Sequence, residues 1–396
     1  MKNIIRISKS FLLLLLTAFT VPAYSQADST SAEPTDLVSS LLVCKPGLDF
    51  YSCYGHCALR LQCPSADLDF VFSYCLDDNL VNRIGMFRGK GLGQYAAFPT
   101  DVFLKEYQET RREVKEYILN LTTEETRELW RMLDKELVTG AHRQYNFLHT
   151  NCSSMCFYAL ERVMQGEEIV FKHLDSGITG TYRQFVHRIS EGLPWTDFFW
   201  TTILGATGEE QGPQEDKMAP MLIVKSFDTA VIQTFEGDER PFVKALPTTI
   251  VEQGFDYPVS WFTPRLLFLI LLLLSMLVSV HEWSKGYGRP QRIFDGLLFV
   301  MQTVCGLFIF YLCCISDMPG ASNNWNLLVF NPLPCLLWLC FRRRKAYAKA
   351  YWLYLAALLI YVALWPVAPM IDLTHVLMVS PLLVRVAMRL VQNRRS

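Results

Sequence analysis

The chain has 396 residues, 51% of them apolar, with a mean hydropathy of +0.19 and a formal net charge of −1. That length suits two or three domains, and the hydropathy is high for a purely water-soluble protein. The near-zero charge excludes a strong electrostatic pull toward nucleic acid, and no segment reads as a nucleic-acid module.

Residues 1–25 read as a secretory signal peptide. Lys2, Arg6 and Lys9 form a basic start, Phe11 to Phe19 an apolar run too short to span comfortably, and Ala23-Tyr24-Ser25 a small-residue cleavage site. An uncleaved anchor is the alternative. Residues 26–36 are small, polar and Pro-containing, and read as a flexible leader.

Residues 37–260 form the exported domain, of α+β class. Leu37 to Cys44 reads as a helix end or a strand, and Pro46-Gly47 as a turn. Two apolar runs, Leu59 to Gln62 and Phe70 to Tyr74, bracket Cys63-Pro-Ser-Ala-Asp67 and predict a β-hairpin. Phe103 to Glu113 is a helix candidate, and Val114 to Leu119 alternates as a strand does. Thr122-Thr-Glu-Glu125 is a capping box opening a helix over 123–138, with Leu129, Trp130, Leu133 and Leu137 on its buried stripe. A second amphipathic helix runs from Ser153 to Met164, burying Cys156, Leu160 and Val163. A polar break, Gly208 to Pro213, follows.

Residues 261–396 read as an all-α bundle of five membrane helices, at 264–281, 296–316, 327–341, 348–366 and 371–389. The 281–293 loop holds Lys285, Arg289 and Arg292, and the 342–349 loop holds Arg342, Arg343, Arg344, Lys345 and Lys349. The C-terminal end holds Arg385, Arg389, Arg394 and Arg395, while loops 317–326 and 366–372 have no Lys or Arg. The positive-inside rule then places residues 26–260 on the periplasmic side of the cytoplasmic membrane and the C-terminus in the cytoplasm. Asn331-Pro332 and Pro334 interrupt the third span, which reads as a kinked helix, with a re-entrant segment as the alternative. The loop Ser322 to Asn326 reads as a polar interface, and Asp317, Asp372 and His375 as groups at headgroup depth. No intramembrane array of ionisable groups is expected, so ion transport is not suggested.

Two short motifs carry the chemistry: Tyr54-Gly55-His56, entering a strand, and Asn151-Cys152, opening a helix. A thiol at a helix N-terminus ionises more readily, and an imidazole beside it completes a Cys–His nucleophile pair. Of twelve cysteines, Cys305, Cys313, Cys314, Cys335 and Cys340 fall in the spans and read as small apolar residues. Seven fall in the exported domain: Cys44, Cys53, Cys57, Cys63, Cys75, Cys152 and Cys156. In an oxidising compartment three disulfides would leave one thiol over, for which Cys152 is the candidate. Cys53, His56, His149 and Cys152 are the alternative, as a zinc set. No cofactor is implied.

The run Cys44-Lys-Pro-Gly47, Tyr51-Ser-Cys-Tyr-Gly-His56-Cys-Ala-Leu-Arg60, with Asp69 to Tyr74, Phe87-Arg-Gly-Lys90, Phe147 and Asn151-Cys152, resembles a bacterial family labelled the lacto-N-biosidase N-terminal periplasmic domain. Thr181-Tyr-Arg183, Pro194-Trp195, Asn324-Trp-Asn-Leu327 and Asn331-Pro-Leu333 extend the likeness over most of the chain. The order His, then Asn-Cys, is also similar to permuted papain-like proteins, the NlpC-like amidases and the lecithin–retinol acyltransferase group. That resemblance implies Cys152 as nucleophile, its backbone N–H in the oxyanion hole, His56 as base, and a His-orienting group on the next strand. Ser73 matches that position, where Asn is usual; Asp69 is the chemically stronger acceptor. Asn151 completes the set. The implied activity is a membrane-anchored thiol hydrolase or acyltransferase acting on an amide or ester of cell-envelope peptides or lipids. A non-catalytic accessory or maturation factor and a zinc-binding structural domain are the alternatives. Membrane lipids are the expected neighbours, and the sequence does not define an oligomeric state.

Overall fold

The computed structural model describes residues 35–48, 52–77, 80–172, 180–209, 224–254, 260–335 and 344–395. The signal peptide, nearly all of the leader, and most of the 208–213 break lie outside the described residues.

The exported domain is built on one antiparallel sheet. Its strands are β1 (Val38–Cys44), β2 (His56–Cys63), β3 (Leu68–Leu76), β4 (Leu92–Pro99), β5 (Val114–Ile118), β6 (Arg143–Gln144) and, late in the chain, β10 (Thr248–Val251). Their order is β10-β5-β1-β2-β3-β4-β6. Two further strands, β7 (Glu168–Phe171) and β8 (Ala230–Gln233), join β9 (Glu239–Pro241) in a small second sheet. The expected hairpin is present: β2 and β3 pair with Leu59 opposite Phe72 and Cys63 opposite Leu68. A single 3-10 turn at Pro64–Ala66 joins them.

Strand alternation sorts the side chains onto two faces. Leu41, Val43, Cys57, Leu59, Leu61, Phe72 and Tyr74 enter the main core. Leu42, Cys44, Ala58, Val71 and Val114 enter a second core on the opposite face. Leu37 to Cys44 is therefore a central strand, not a helix end, because both of its faces are covered. The first face carries α3 (Thr123–Thr139) and α4 (Cys152–Val163), which contribute Leu129, Leu133, Cys156, Leu160 and Val163. The second carries α2 (Thr100–Glu109), through Tyr107, Phe103 and Leu104. The capping box of α3 forms as read: Thr122 accepts from the Glu125 N–H, and the Glu125 carboxylate accepts from the Thr122 N–H. The remaining helices of this domain are α1 (Leu80–Phe87), α5 (Tyr182–Ile189) and α6 (Pro194–Ile203).

Among the described residues, three helices of the membrane part are long and apolar enough to cross a bilayer: α7 (Pro264–Lys285), α8 (Arg289–Cys314) and α10 (Leu373–Arg395). Helix α9 (Arg344–Ala363) has a shorter apolar stretch, 349–363. The expected third span lies partly outside the described residues, since 336–343 are not among them. Its described beginning is irregular, not a kinked helix. After a 3-10 turn at Trp325–Leu328, the Val329 and Asn331 carbonyls accept from Gln302 Nε2, at 2.6 and 2.8 Å. Gln302 lies twelve residues before the end of α8, about 18 Å along the helix. Non-helical backbone at that depth is tolerable only when its polar groups are satisfied by protein, and Tyr354 Oη also donates to the Val329 carbonyl.

The polar loop before it buries two of its residues, Asn324 and Asn326, while Ser322, Asn323 and Trp325 stay exposed. Asn324 Nδ2 donates to the carbonyls of Thr202 and Ile203, and Asn326 Nδ2 to that of Thr202. These groups satisfy the open C-terminal end of α6 and tie the exported domain to the bundle. Gly205 is required there: a Cβ on it would stand 1.8 Å from the Ser322 carbonyl oxygen. His375 is likewise enclosed, with Nδ1 2.6 Å from Asp372 Oδ1 and Nε2 3.2 Å from Thr202 Oγ1. Asp317 stays exposed, as expected at a headgroup layer.

A buried cluster of charge joins the ends of three helices, just beyond two of the expected spans. Arg385 Nε and Nη2 bond Asp295 at 2.6 and 3.1 Å, Nη2 bonds Glu282 at 2.6 Å, and Nη1 donates to Ser279 Oγ. All three charged residues are fully buried. Arg385 and Arg389 are both partners of Glu282. The cluster joins α7, α8 and α10 at one end of the bundle.

Candidate active site

Gly55 sets the start of β2. Its φ is +77°, and a Cβ would meet the Cys44 carbonyl oxygen at 2.6 Å. Only glycine lets the chain turn this closely past β1 and deliver His56 as the first strand residue, opposite Cys44. His56 Nε2 lies 2.7 Å from Ser73 Oγ, on the neighbouring strand. A Ser73 oxygen accepting from Nε2–H leaves the Nδ1 lone pair as the basic site. Asp69, the stronger acceptor on paper, is committed elsewhere. It takes both Arg60 Nε and Nη2, at 2.9 and 2.6 Å, and the Thr100 hydroxyl.

Cys152 is the first residue of α4, and Asn151 is its N-cap. Asn151 Oδ1 accepts from the Ser153 and Ser154 N–H groups at 2.9 and 3.0 Å, and Nδ2 donates to the Phe147 carbonyl at 3.0 Å. Asn151 therefore fixes where the helix starts and which way the sulfur points. Backbone N–H groups of Cys57, Ser153 and Cys152 itself surround the thiol and favour its ionised form, but burial outweighs them and pushes it up. Burial and, secondarily, the Arg112 guanidinium lower the His56 imidazole to about 4. At neutral pH the resting groups are a neutral thiol and a neutral imidazole, without an ion pair.

The sulfur thus meets the peptide N–H of Cys57, the residue after His56. His56 points to the α2 side of the sheet, where its ring centroid lies 6.4 Å from that of Phe103, and Cys57 to the α4 side, where the thiol lies. Among the described residues no hydrogen bond joins the imidazole to the thiol.

The His56 shift has a measurable consequence. The folded protein resists protonation of this imidazole, so its stability falls as pH drops from 6.5 toward 4 and levels off below. If His56 is the base, the acid limb of kcat/KM falls near pH 4, not near 6.5. A pH–rate profile checks it, and a limb at 6.5 contradicts it.

The other candidates separate from this site. His149 is exposed and lies edge-on to Tyr182, with Nδ1 3.4 Å from the Tyr182 hydroxyl. Among the described residues no cluster of three His, Cys, Asp or Glu side chains is arranged to hold a metal ion, which removes the zinc set. Cys44, Cys57, Cys63, Cys152 and Cys156 carry free thiols, so the expected framework of three disulfides is not formed. Cys44, Cys57 and Cys156 are packed as small apolar side chains in the two cores.

Sequence reasoning missed a small apolar cleft next to the segment fastened to the Asn151 cap. Its walls are Tyr145, Phe147, Leu148, Val186, Trp200 and Leu204 from the exported domain, Met86 from α1, and Met318 with Pro319 from the outer loop of the bundle. Phe147 and Trp200 stack at 4.7 Å, and Tyr54 tilts against both. Tyr54 is two residues before His56, and Phe147 is fastened to the Asn151 cap. Only the aromatic residues of the two motif loops hinted at this cleft, because its walls come from five separate segments.

Residues 23–188, which contain both motifs, match the model of the Lnb N-terminal periplasmic domain, and residues 256–396 match that of the Lnb transmembrane domain. The chain belongs to the Lnb family. This Lnb protein is accordingly a membrane protein with a periplasmic N-terminal part. No curated protein and no solved structure gives a match. The cleft of this Lnb protein lies between the two matched regions, with walls from each.

Proposed function

We propose that the protein is a cysteine-dependent acyl-transfer enzyme at the outer face of the cytoplasmic membrane, a hydrolase or acyltransferase with a permuted papain-like catalytic arrangement. Its proposed substrate is an acyl ester or amide of an envelope lipid or lipid-bearing peptide. One observation carries this reading. The Cys152 thiol sits at a helix start against the His56–Cys57 peptide, and its N-cap Asn151 is bonded to Phe147, a wall of an apolar cleft bounded on one side by the membrane bundle. Such a cleft suits an acyl chain better than a polar cell-wall peptide.

In the proposed reaction His56 Nδ1 takes the Cys152 proton as sulfur attacks the acyl carbonyl carbon. The backbone N–H of Cys152 and its neighbours stabilise the oxyanion. The intermediate expels the alcohol or amine, which leaves with the proton from His56, and the acyl group remains as a thioester. Water or an acceptor amine then attacks the thioester, again with His56 as base, and the thiol is restored. Ser73 holds the ring in the tautomer this needs. Asn151 acts at one remove, as the cap that aims the sulfur.

The test uses the full chain in proteoliposomes of ester-linked phospholipids. Intact-protein mass spectrometry is expected to show an added acyl mass on Cys152 that neutral hydroxylamine removes. Absence of any adduct in folded, reduced protein would count against the reading. The lack of a resting thiol–imidazole hydrogen bond favours one alternative, a non-catalytic accessory role, under which a Cys152→Ala chain would complement a deletion strain fully.

A further inference from the structure

We infer that helix α1 is an interfacial membrane helix, seated in the outer leaflet as a wall between the cleft and the lipid. Its eight residues, Leu80–Phe87, place Val81, Ile84 and Phe87 at helical spacing along one side. Val81 is 77% exposed and Ile84 51% exposed, which is unusual for two large apolar side chains on one short helix. Met86 lies about 140–160° around the helix from them, at 100° per residue, and lines the cleft. Met86, across the helix, and Phe87, at the end of the first side, are packed against the protein, while Val81 and Ile84 are left open.

What covers these two is settled by where α1 is fastened. The Phe87 ring packs against Phe308 of α8 with centroids 5.9 Å apart. Phe308 lies six residues before the end of that membrane-spanning helix, about 9 Å along it. Ser316 Oγ donates to the Phe87 carbonyl at 2.6 Å, and the Asp317 N–H donates to that of Arg88. Gly89 packs so closely on the Asp317 backbone that a Cβ would lie 2.4 Å from it. These contacts fix the end of α1 against the outermost turns of α8. Phe308 is itself partly exposed beside Val304 and Leu307, which are more than half exposed, so the contact reaches the apolar outer surface of α8. The occupant is a lipid bilayer, and Arg88 and Lys90 follow the helix as cationic groups suited to phosphate headgroups. Burying the exposed side in the headgroup–acyl boundary removes apolar surface from water that nothing else in the fold covers.

The inference rests on the membrane assignment and not on catalysis. It is tested with p-benzoylphenylalanine placed singly at Val81, Ile84, Leu297 and Val138, in full chain reconstituted in phosphatidylethanolamine–phosphatidylglycerol vesicles. Leu297 reports a lipid-facing site in α8, and Val138, 87% exposed on α3, a site facing water. After irradiation, lipid adducts are expected at 81, 84 and 297 and not at 138, equally in a Cys152→Ala background. Adducts at 297 with none at 81 and 84, or cross-links from 81 and 84 to a polypeptide, overturn the inference. Because the Cys152→Ala chain reports the same contact, a failed acyl-enzyme experiment leaves this result unaffected.

Discussion

Replacing Cys152 with alanine is expected to lower turnover by about 10⁴-fold or more while leaving the fold intact. The rate estimate is the usual consequence of removing a nucleophile whose partners act as a unit. Tolerance of the fold follows from the local geometry. The start of α4 is held by Asn151 Oδ1 on the Ser153 and Ser154 N–H groups, and not by the sulfur. Alanine is a better helix former than cysteine, and Cys152 is only half-buried. The thermal midpoint should therefore change by less than the equivalent of about 1 kcal/mol. Turnover and thermal unfolding measured on the same preparation separate the two effects. Unchanged turnover by a folded Cys152→Ala chain would remove the thiol from the mechanism. Asn151→Ala should instead lose both activity and about 1 kcal/mol of stability, since it removes a cap and misaims the sulfur.

Arg385→Ala is expected to be the most destabilising single change in the membrane part. Glu282 and Asp295 would remain fully buried without their cation. Breaking a buried pair by removing one partner costs about 3–5 kcal/mol, because the abandoned charge keeps its desolvation penalty. Here one guanidinium serves two carboxylates and Ser279, and it links α7, α8 and α10. The expected readout is loss of the monodisperse peak in detergent or a large fall in thermal midpoint. Replacing all three fully buried charges together, Glu282→Leu, Asp295→Leu and Arg385→Met, should recover much of the loss, since none of them then remains buried without its partner. A stable Arg385→Ala chain would show that water reaches the cluster.

The membrane junction changes how the exported domain is understood. Helix α6 ends on Asn324 and Asn326, and Arg183 of α5 donates to the carbonyls of Thr201, Leu204 and Gly205. The domain is therefore not a module on a loose tether. The cleft shares walls with the bundle, so docking of the two parts shapes the proposed acyl site. This also explains why the Asn324-Trp-Asn-Leu327 and Asn331-Pro-Leu333 motifs extend the likeness beyond the exported domain.

Legibility varied with the range of the interactions involved. The β2–β3 hairpin, the α3 capping box and the helix opened by Asn151-Cys152 were all readable, because alternation, caps and turn residues act within a few positions. Leu37 to Cys44 was ambiguous as sequence, since a strand covered on both faces loses its alternation. The buried charges of α7, α8 and α10 read as ordinary basic and acidic ends. Nothing local marks that Arg385 will find Glu282 and Asp295 about a hundred residues earlier.

Residue order alone determined the apolar C-terminal half, the strand and helix that carry His56 and Cys152, and the membrane character of the chain. Periodicity, capping and hydropathy are short-range properties, so each could be read one segment at a time. Tertiary structure decided that Ser73, and not Asp69, faces the imidazole, since Arg60 and Thr100 capture the carboxylate first. It also decided that the thiol lies at the Cys57 peptide, and that an apolar cleft opens where domain and bundle meet. Those outcomes depend on competition among distant partners for the same hydrogen bonds and the same space, which no local pattern encodes.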